Sequence, residues 1–173
     1  MNLLTTIGVY AALSKEQRLP LRFPGGPGTW TVLQQFTDAN LLAAAVQWAL
    51  TADTARGEMF NVINGDQFRW EHLWEDIAAV FEMPTAPPQK MKLAEQMADK
   101  EPAWDALVAR HQLRPTSYSQ MASWDFADGV WRSQYDMVQS TIKIRQAGFA
   151  DSVDSHDSIT GKLRQLRDDG YLP

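Results

Sequence analysis

Residues 60–74, Phe60-Asn-Val-Ile-Asn-Gly-Asp66-Gln-Phe-Arg-Trp70-Glu-His-Leu-Trp74, constrain the fold more than any other stretch. A short apolar run over 60–63 reads as a buried strand, and Asn64-Gly65 is a strong turn signal. A helix over 70–81 follows at once, with Trp70, Leu73, Trp74, Ile77, Val80 and Phe81 at i, i+3, i+4, i+7 spacing on one face. Strand, turn and Trp-anchored helix without spacers is the grammar of an α/β chain.

The flanking segments extend that pattern. Leu3, Leu4, Ile7, Ala11 and Leu13 predict a helix over 3–17 that stops at Arg18-Leu19-Pro20. Residues 21–23 and 32–36 are strand candidates, with Pro24-Gly-Gly-Pro-Gly28 as a loop between them. Thr37 or Asp38 is a natural N-cap for a helix over 39–50. Pro84-Thr-Ala-Pro-Pro88 breaks the chain and marks an expected boundary between units 1–83 and 84–173. Beyond it the pattern predicts helices over 93–98, 102–111 and 118–131, a strand over 136–140, and helices over 141–147 and 159–169. Gly148 and Gly170 stop the last two.

The chain has 173 residues, 45 % hydrophobic and 21 % charged, which suits one folded domain with a real core. Seven tryptophans point to helices packed on a sheet or to a ring-lined pocket. A net charge of −5 with scattered Lys and Arg leaves no electrostatic footprint for nucleic acid. There is no cysteine, which excludes disulfides and thiolate chemistry and suits a reducing cytoplasm. His72, His111 and His156 are too dispersed for a metal site of ordinary ligand spacing. No apolar run reaches membrane-spanning length. The first residues carry no signal-peptide pattern and read as a helix already under way.

Motifs that invite a chemical reading have simple structural ones. Pro27 lacks the N–H that a phosphate cradle needs, so Gly25-Gly26-Pro27-Gly28 reads as a plain turn. Tyr10 and Lys15 stand five apart, which puts them on different sides of a helix, and no Tyr-x-x-x-Lys, Gly-x-x-Gly-x-x-Gly or Gly-x-Gly-x-x-Gly occurs. Glu71, Glu75 and Asp76, the pair Asp125 and Asp128, and the basic run 162–167 all read as solvated helix faces. His72 is expected to point outward.

Taken in order, Met1-Asn2-Leu3, Val9-Tyr10-Ala11-Ala12, Leu19-Pro-Leu-Arg-Phe-Pro-Gly25, Thr37-Asp38-Ala39, Gln47-Trp48-Ala49, Asn64-Gly65-Asp66-x-Phe68-x-Trp70, Lys100-Glu-Pro-x-Trp104, Trp124-x-Phe126 and Gly148-Phe149 form a recognisable series. The chain resembles the C-terminal half of the progesterone 5β-reductase and iridoid synthase-like (PRISE) family of extended short-chain dehydrogenases. Asn-Gly-Asp-x-Phe-x-Trp is the most specific piece, and the resemblance runs nearly end to end.

The resemblance implies an α/β fold: strands and helices completing a Rossmann-type sheet over 1–83, then a mainly helical substrate cap over 84–173. It also implies an NAD(P)H-dependent reductase of enones or carbonyls. In such an enzyme a tyrosine hydroxyl stabilises the developing enolate and a lysine tunes it. Those groups and the dinucleotide loop lie upstream in the family, so this chain by itself is expected to hold no NADPH or NADH and no catalytic residue. Met1, Gln34, Trp124 and Phe126 fall at substrate-binding positions. Gln34 and Gln35 depart from the commoner family pattern, and Trp124 and Phe126 stand only two apart, so one is pocket and the other core. A truncated binding module, or a protein carrying only a generic epimerase or dehydratase label, remains an alternative. The expected partners are a small apolar enone or carbonyl compound, and a second copy or an N-terminal half to cover strand edges at 21–23 and 60–63.

Overall fold

A computed structural model describes residues 2–173, and Met1 lies outside it. The helix predicted near the start is α1, Leu3–Glu16. Asn2 caps it by accepting the Leu4 N–H at 2.9 Å. Thr6 to Ser14 are all buried, so this helix has no solvent face and serves as an axis on which others pack. Its end is closed by Arg18 in the left-handed region (φ 56°) and by Leu19 N–H donating to the Ser14 carbonyl.

β1, Leu21–Arg22, follows and pairs in parallel with β2, Thr85–Ala86. β2 lies in the Pro84–Pro88 stretch read as a break. Its flanking prolines confine it to this two-residue pairing, because proline offers no N–H to a ladder. The Gly25–Gly28 stretch also differs from the plain turn expected. Pro27 opens a single-turn helix, α2 (Pro27–Thr31), since its missing N–H is one that a first helical position leaves unbonded anyway.

α3, Ala39–Thr51, is capped by Asp38 as anticipated, and a 3-10 turn follows at Asp53–Ala55. α4, Trp70–Val80, matches the predicted helix. The expected strands over 32–36, 60–63 and 136–140 are not formed. These stretches run extended beside one another, with one antiparallel bridge between Gln34 and Phe68. Asn64 N–H donates to the Phe36 carbonyl and Met137 N–H to the Leu33 carbonyl, while the Thr37 hydroxyl donates to the Val62 carbonyl at 2.8 Å. Side chains and isolated bonds thus satisfy groups that a ladder would have used.

The remainder is helical: α5 (Leu93–Gln96), α6 (Glu101–His111), α7 (Tyr118–Met121), α8 (Trp124–Val130), α9 (Ile142–Gln146) and α10 (Ser155–Asp168). The single helix predicted over 118–131 is split. Ala122 is extended, and Ser123 N–H donates to the Thr6 hydroxyl on α1 at 3.0 Å instead of continuing the helical ladder. α10 begins a turn earlier than predicted because Asp154 caps it through the Asp157 N–H. The α/β expectation holds in coarse form, as a mostly helical chain with a small parallel sheet.

The main core gathers α1, β1, α4 and the later helices around Phe23, Trp70, Trp74 and Trp131, and so draws on both sides of residue 84. Phe23 lies 5.2–5.7 Å from the rings of Trp70, Trp74 and Trp131, in tilted or edge-on geometry. The Trp74 indole N–H donates to the Leu21 carbonyl at 3.2 Å and fixes α4 against β1. A smaller cluster sets Leu41 and Ala45 of α3 against Ile144 and Phe149, with Trp48 packed on Phe60 and Phe149.

Asp128 is not a solvated carboxylate. Its two oxygens accept the Leu93 and Ala94 N–H groups at 2.9 and 3.0 Å, capping α5 from α8. Asp128→Ala should therefore cost about 1 kcal/mol in urea unfolding, whereas Asp125→Ala, at an exposed position, should leave the midpoint unchanged.

Candidate functional site

The turn at Asn64-Gly65-Asp66 brings together the N-terminal ends of α3 and α10. Gly65 sits at φ 109°, a conformation that L side chains rarely adopt. Asn64 is buried and accepts the Asp38 N–H at 2.6 Å, while its amide donates to the Ser155 hydroxyl at 3.0 Å. Ser155 in turn donates its N–H and hydroxyl to the two Asp66 oxygens at 2.8 and 2.7 Å. Asp38 accepts from Ser158 at 2.5 Å, from Lys162 at 2.8 Å and from the Asn40 N–H at 2.7 Å.

Burial alone would raise the Asp38 pKa, but the hydrogen bonds from Lys162, Ser158 and Asn40 together hold it down at about 2. A carboxylate with so low a pKa is a poor base at neutral pH. The Ser158 hydroxyl has Asp38 and no imidazole beside it. His156 faces away toward Asp76, with Nδ1 2.5 Å from the carboxylate. This network is a fixed polar wall and not a nucleophilic triad. Ser155, Ser158 and Lys162 were missed as a set, although their spacing puts them on one face of α10. Lys162 also corrects the reading of 162–167 as a solvated run, and Arg167 does so too by donating to the Val80 and Pro173 carbonyls.

A cavity of about 260 Å³ opens against this wall. Leu3 and Leu4 at the start of α1, with Phe36 and Ile159, supply its apolar side, and Asn2, Asp38, Ser158 and Lys162 its polar side. Met1, the expected substrate-binding methionine, is outside the described residues. The other three anticipated residues do not line this cavity. Gln34 is 6 % exposed, its backbone is bridged to Phe68, and its side-chain Nε2 has no partner among the described residues. Trp124 is half-buried with its ring 5.7 Å from Tyr118, and its indole N–H likewise has no partner among the described residues. Phe126 is 37 % exposed on α8.

Trp124 packs against the core cluster, and Phe126 faces outward. The glycine cluster does not fit a dinucleotide phosphate. A Cβ at Gly25 would fall 2.4 Å from the Phe23 ring, so its glycine serves close packing, and Pro27 removes a donor from a helix of only five residues. Tyr10 is a buried core residue whose hydroxyl donates to the Arg22 carbonyl at 3.0 Å. His72 is exposed as anticipated. Among the described residues no cluster of three metal-ligating side chains is present, and no helix is long and apolar enough to cross a membrane.

No protein-family model matches the chain. Among characterised proteins it is 33 % identical to an (S)-8-oxocitronellyl enol synthase of Antirrhinum majus over 176 residues, which take in 100 % of this chain and 45 % of that protein. An enzyme of the same name from Camptotheca acuminata is 34 % identical over 181 residues, covering 100 % and 46 %. One from Nepeta cataria is 34 % identical over 172 residues, covering 96 % and 44 %. The chain is homologous to the C-terminal half of the iridoid synthase-like family. It spans about half the length of the iridoid synthase-like relatives it matches. The order of landmarks from Asn2 to Phe149 follows from that common descent.

Proposed function

We propose that this chain forms the substrate-binding part of an NAD(P)H-dependent reductase of the enone or carbonyl type, with the dinucleotide loop and the catalytic tyrosine and lysine provided by residues outside it. The observation that carries this reading is the similarity, over the full length of the chain, to proteins named as enol synthases. Gln34, Trp70, Trp124 and Trp131 each hold a buried side-chain N–H without a partner among the described residues, and of these Gln34 and Trp124 stand in the proposed set, where a substrate carbonyl oxygen would serve as acceptor. Met1 and Phe126 complete the proposed set, with Phe126 excluding water from the apolar part of the substrate. In the intact protein, residues 1–83 would complete a Rossmann-type sheet and 84–173 would form the cap, in a cytoplasmic enzyme.

Leu42, Val46 and Leu50 form an exposed apolar row along α3, with Leu50 81 % exposed. This row suits contact with the rest of such an enzyme or with a second copy. By itself the chain is expected neither to bind NADPH or NADH at micromolar concentration nor to reduce an enone. Calorimetric titration and the absorbance of NADPH in the presence of an α,β-unsaturated aldehyde check both. Fused behind the nucleotide-binding half of a relative, the chain should support turnover, and Phe126→Ala should lower kcat/KM roughly tenfold to a hundredfold with NADPH affinity unchanged. Turnover by the chain alone, or a fusion that binds NADPH yet ignores enones, would defeat the proposal.

A further inference from the structure

We propose that a second concavity, between the C-terminal half of α1 and the segment joining β2 to α5, binds a small carboxylate with an apolar body. It encloses about 300 Å³, the lower end of the range for small-ligand sites. Its floor is apolar, formed by buried Leu13 and Met97 with half-buried Met91, and exposed Leu19 stands at its rim. Arg22 and Lys100 line it and no carboxylate does, although the chain as a whole carries a charge of −5.

Arg22 is well placed to receive an anion. One Nη donates to the Pro87 carbonyl at 3.0 Å, and among the described residues Arg22 enters no ion pair. Most of its guanidinium donors are therefore free for a carboxylate, whose two oxygens match the fork. Lys100, 31 % exposed, pairs at 2.8 Å with Asp99, whose side chain is 78 % exposed, and so exposed a carboxylate is readily exchanged for a ligand anion. The Tyr10 hydroxyl, spent on the Arg22 carbonyl, is pushed up to about 12 by burial and adds no opposing charge. Apolar floor and cationic rim together select an amphiphilic anion over either a neutral oil or a bare inorganic ion. The site lies along the second half of α1, away from the cavity at Asn2, and does not depend on the reductase reading.

Octanoate, kept below its micelle-forming concentration and titrated into the chain with methionine methyl NMR as readout, tests this. It should shift Met91 and Met97 and bind about tenfold or more tightly than octanol. Arg22→Gln and Lys100→Gln should each weaken octanoate about tenfold and leave octanol unchanged. Arg22 also holds the Pro87 loop, so Lys100→Gln, which loses only an exposed contact, keeps the test decisive if the first variant unfolds. Octanol binding as tightly as octanoate, octanoate moving neither methionine, or full octanoate affinity in the Lys100 variant would overturn the proposal.

Discussion

Trp70→Ala is expected to destabilise the protein by about 3–5 kcal/mol, the largest effect of any single truncation proposed here. Trp70 is 1 % exposed and its ring lies 5.5–6.0 Å from those of Phe23, Phe36, Phe68, Trp74 and Trp131. Those neighbours come from the residue after β1, from the extended stretches before α3 and α4, from α4 itself and from the end of α8. Collapse onto the lost indole would require all of them to move, so most of the cavity should stay open and cost accordingly. For a chain of this size the melting temperature should drop by roughly 6–20 °C. Met59→Ala, at a position 87 % exposed, should leave it unchanged. The measurement is thermal unfolding followed by circular dichroism. A drop of only a degree or two for Trp70→Ala would mean that the ring cluster is not the keystone of the core.

Asp38→Ala is expected to be the second most damaging change, and it carries a signature in pH. The substitution removes an acceptor used by Ser158, Lys162 and the Asn40 N–H, and leaves a partly buried ammonium without its partner. Lys162 is 31 % exposed and can reach water, so the cost should be about 2–4 kcal/mol, the lower part of the range reaching below that of a fully buried broken pair. The Asp38 pKa lies at about 2 in the folded chain, below the ordinary value of 3.8. A carboxyl depressed by folding contributes stability above its unfolded pKa and loses it as pH falls through the folded one. Asp38 should thus contribute about 2 kcal/mol at neutral pH that fades between roughly pH 4 and pH 2. Urea midpoints for both proteins at a series of pH values should converge toward the acid end. A constant gap down to pH 2 would show that packing, and not the charge on Asp38, carries the effect.

Local signals in the sequence placed α1, α3 and α4 because each carries an apolar pattern of its own and a stop or cap, and α6 because Pro102 suits its first turn. Asn64-Gly65 was readable as a turn for the same reason, since the backbone conformation at Gly65 is one that only glycine takes easily. The landmark series from Asn2 to Phe149 was enough to name the family, because it depends on residue identity and order alone. The extended stretches at 32–36, 60–63 and 136–140 were a different matter. Whether a β-prone run becomes a strand depends on what lies beside it, and here Thr37, Gln35 and isolated backbone bonds occupy the groups that a ladder would use. The break of α7 from α8 was decided by the Thr6 hydroxyl, 117 residues away in the chain. Asp38, Asn64, Asp66, Ser155, Ser158 and Lys162 meet only after folding, and so do Arg22 and Lys100 at the second concavity. Periodicity and capping act over a few residues and can be read along the chain. Pairing of charges and closure of cavities act across it, and only the tertiary structure decides them.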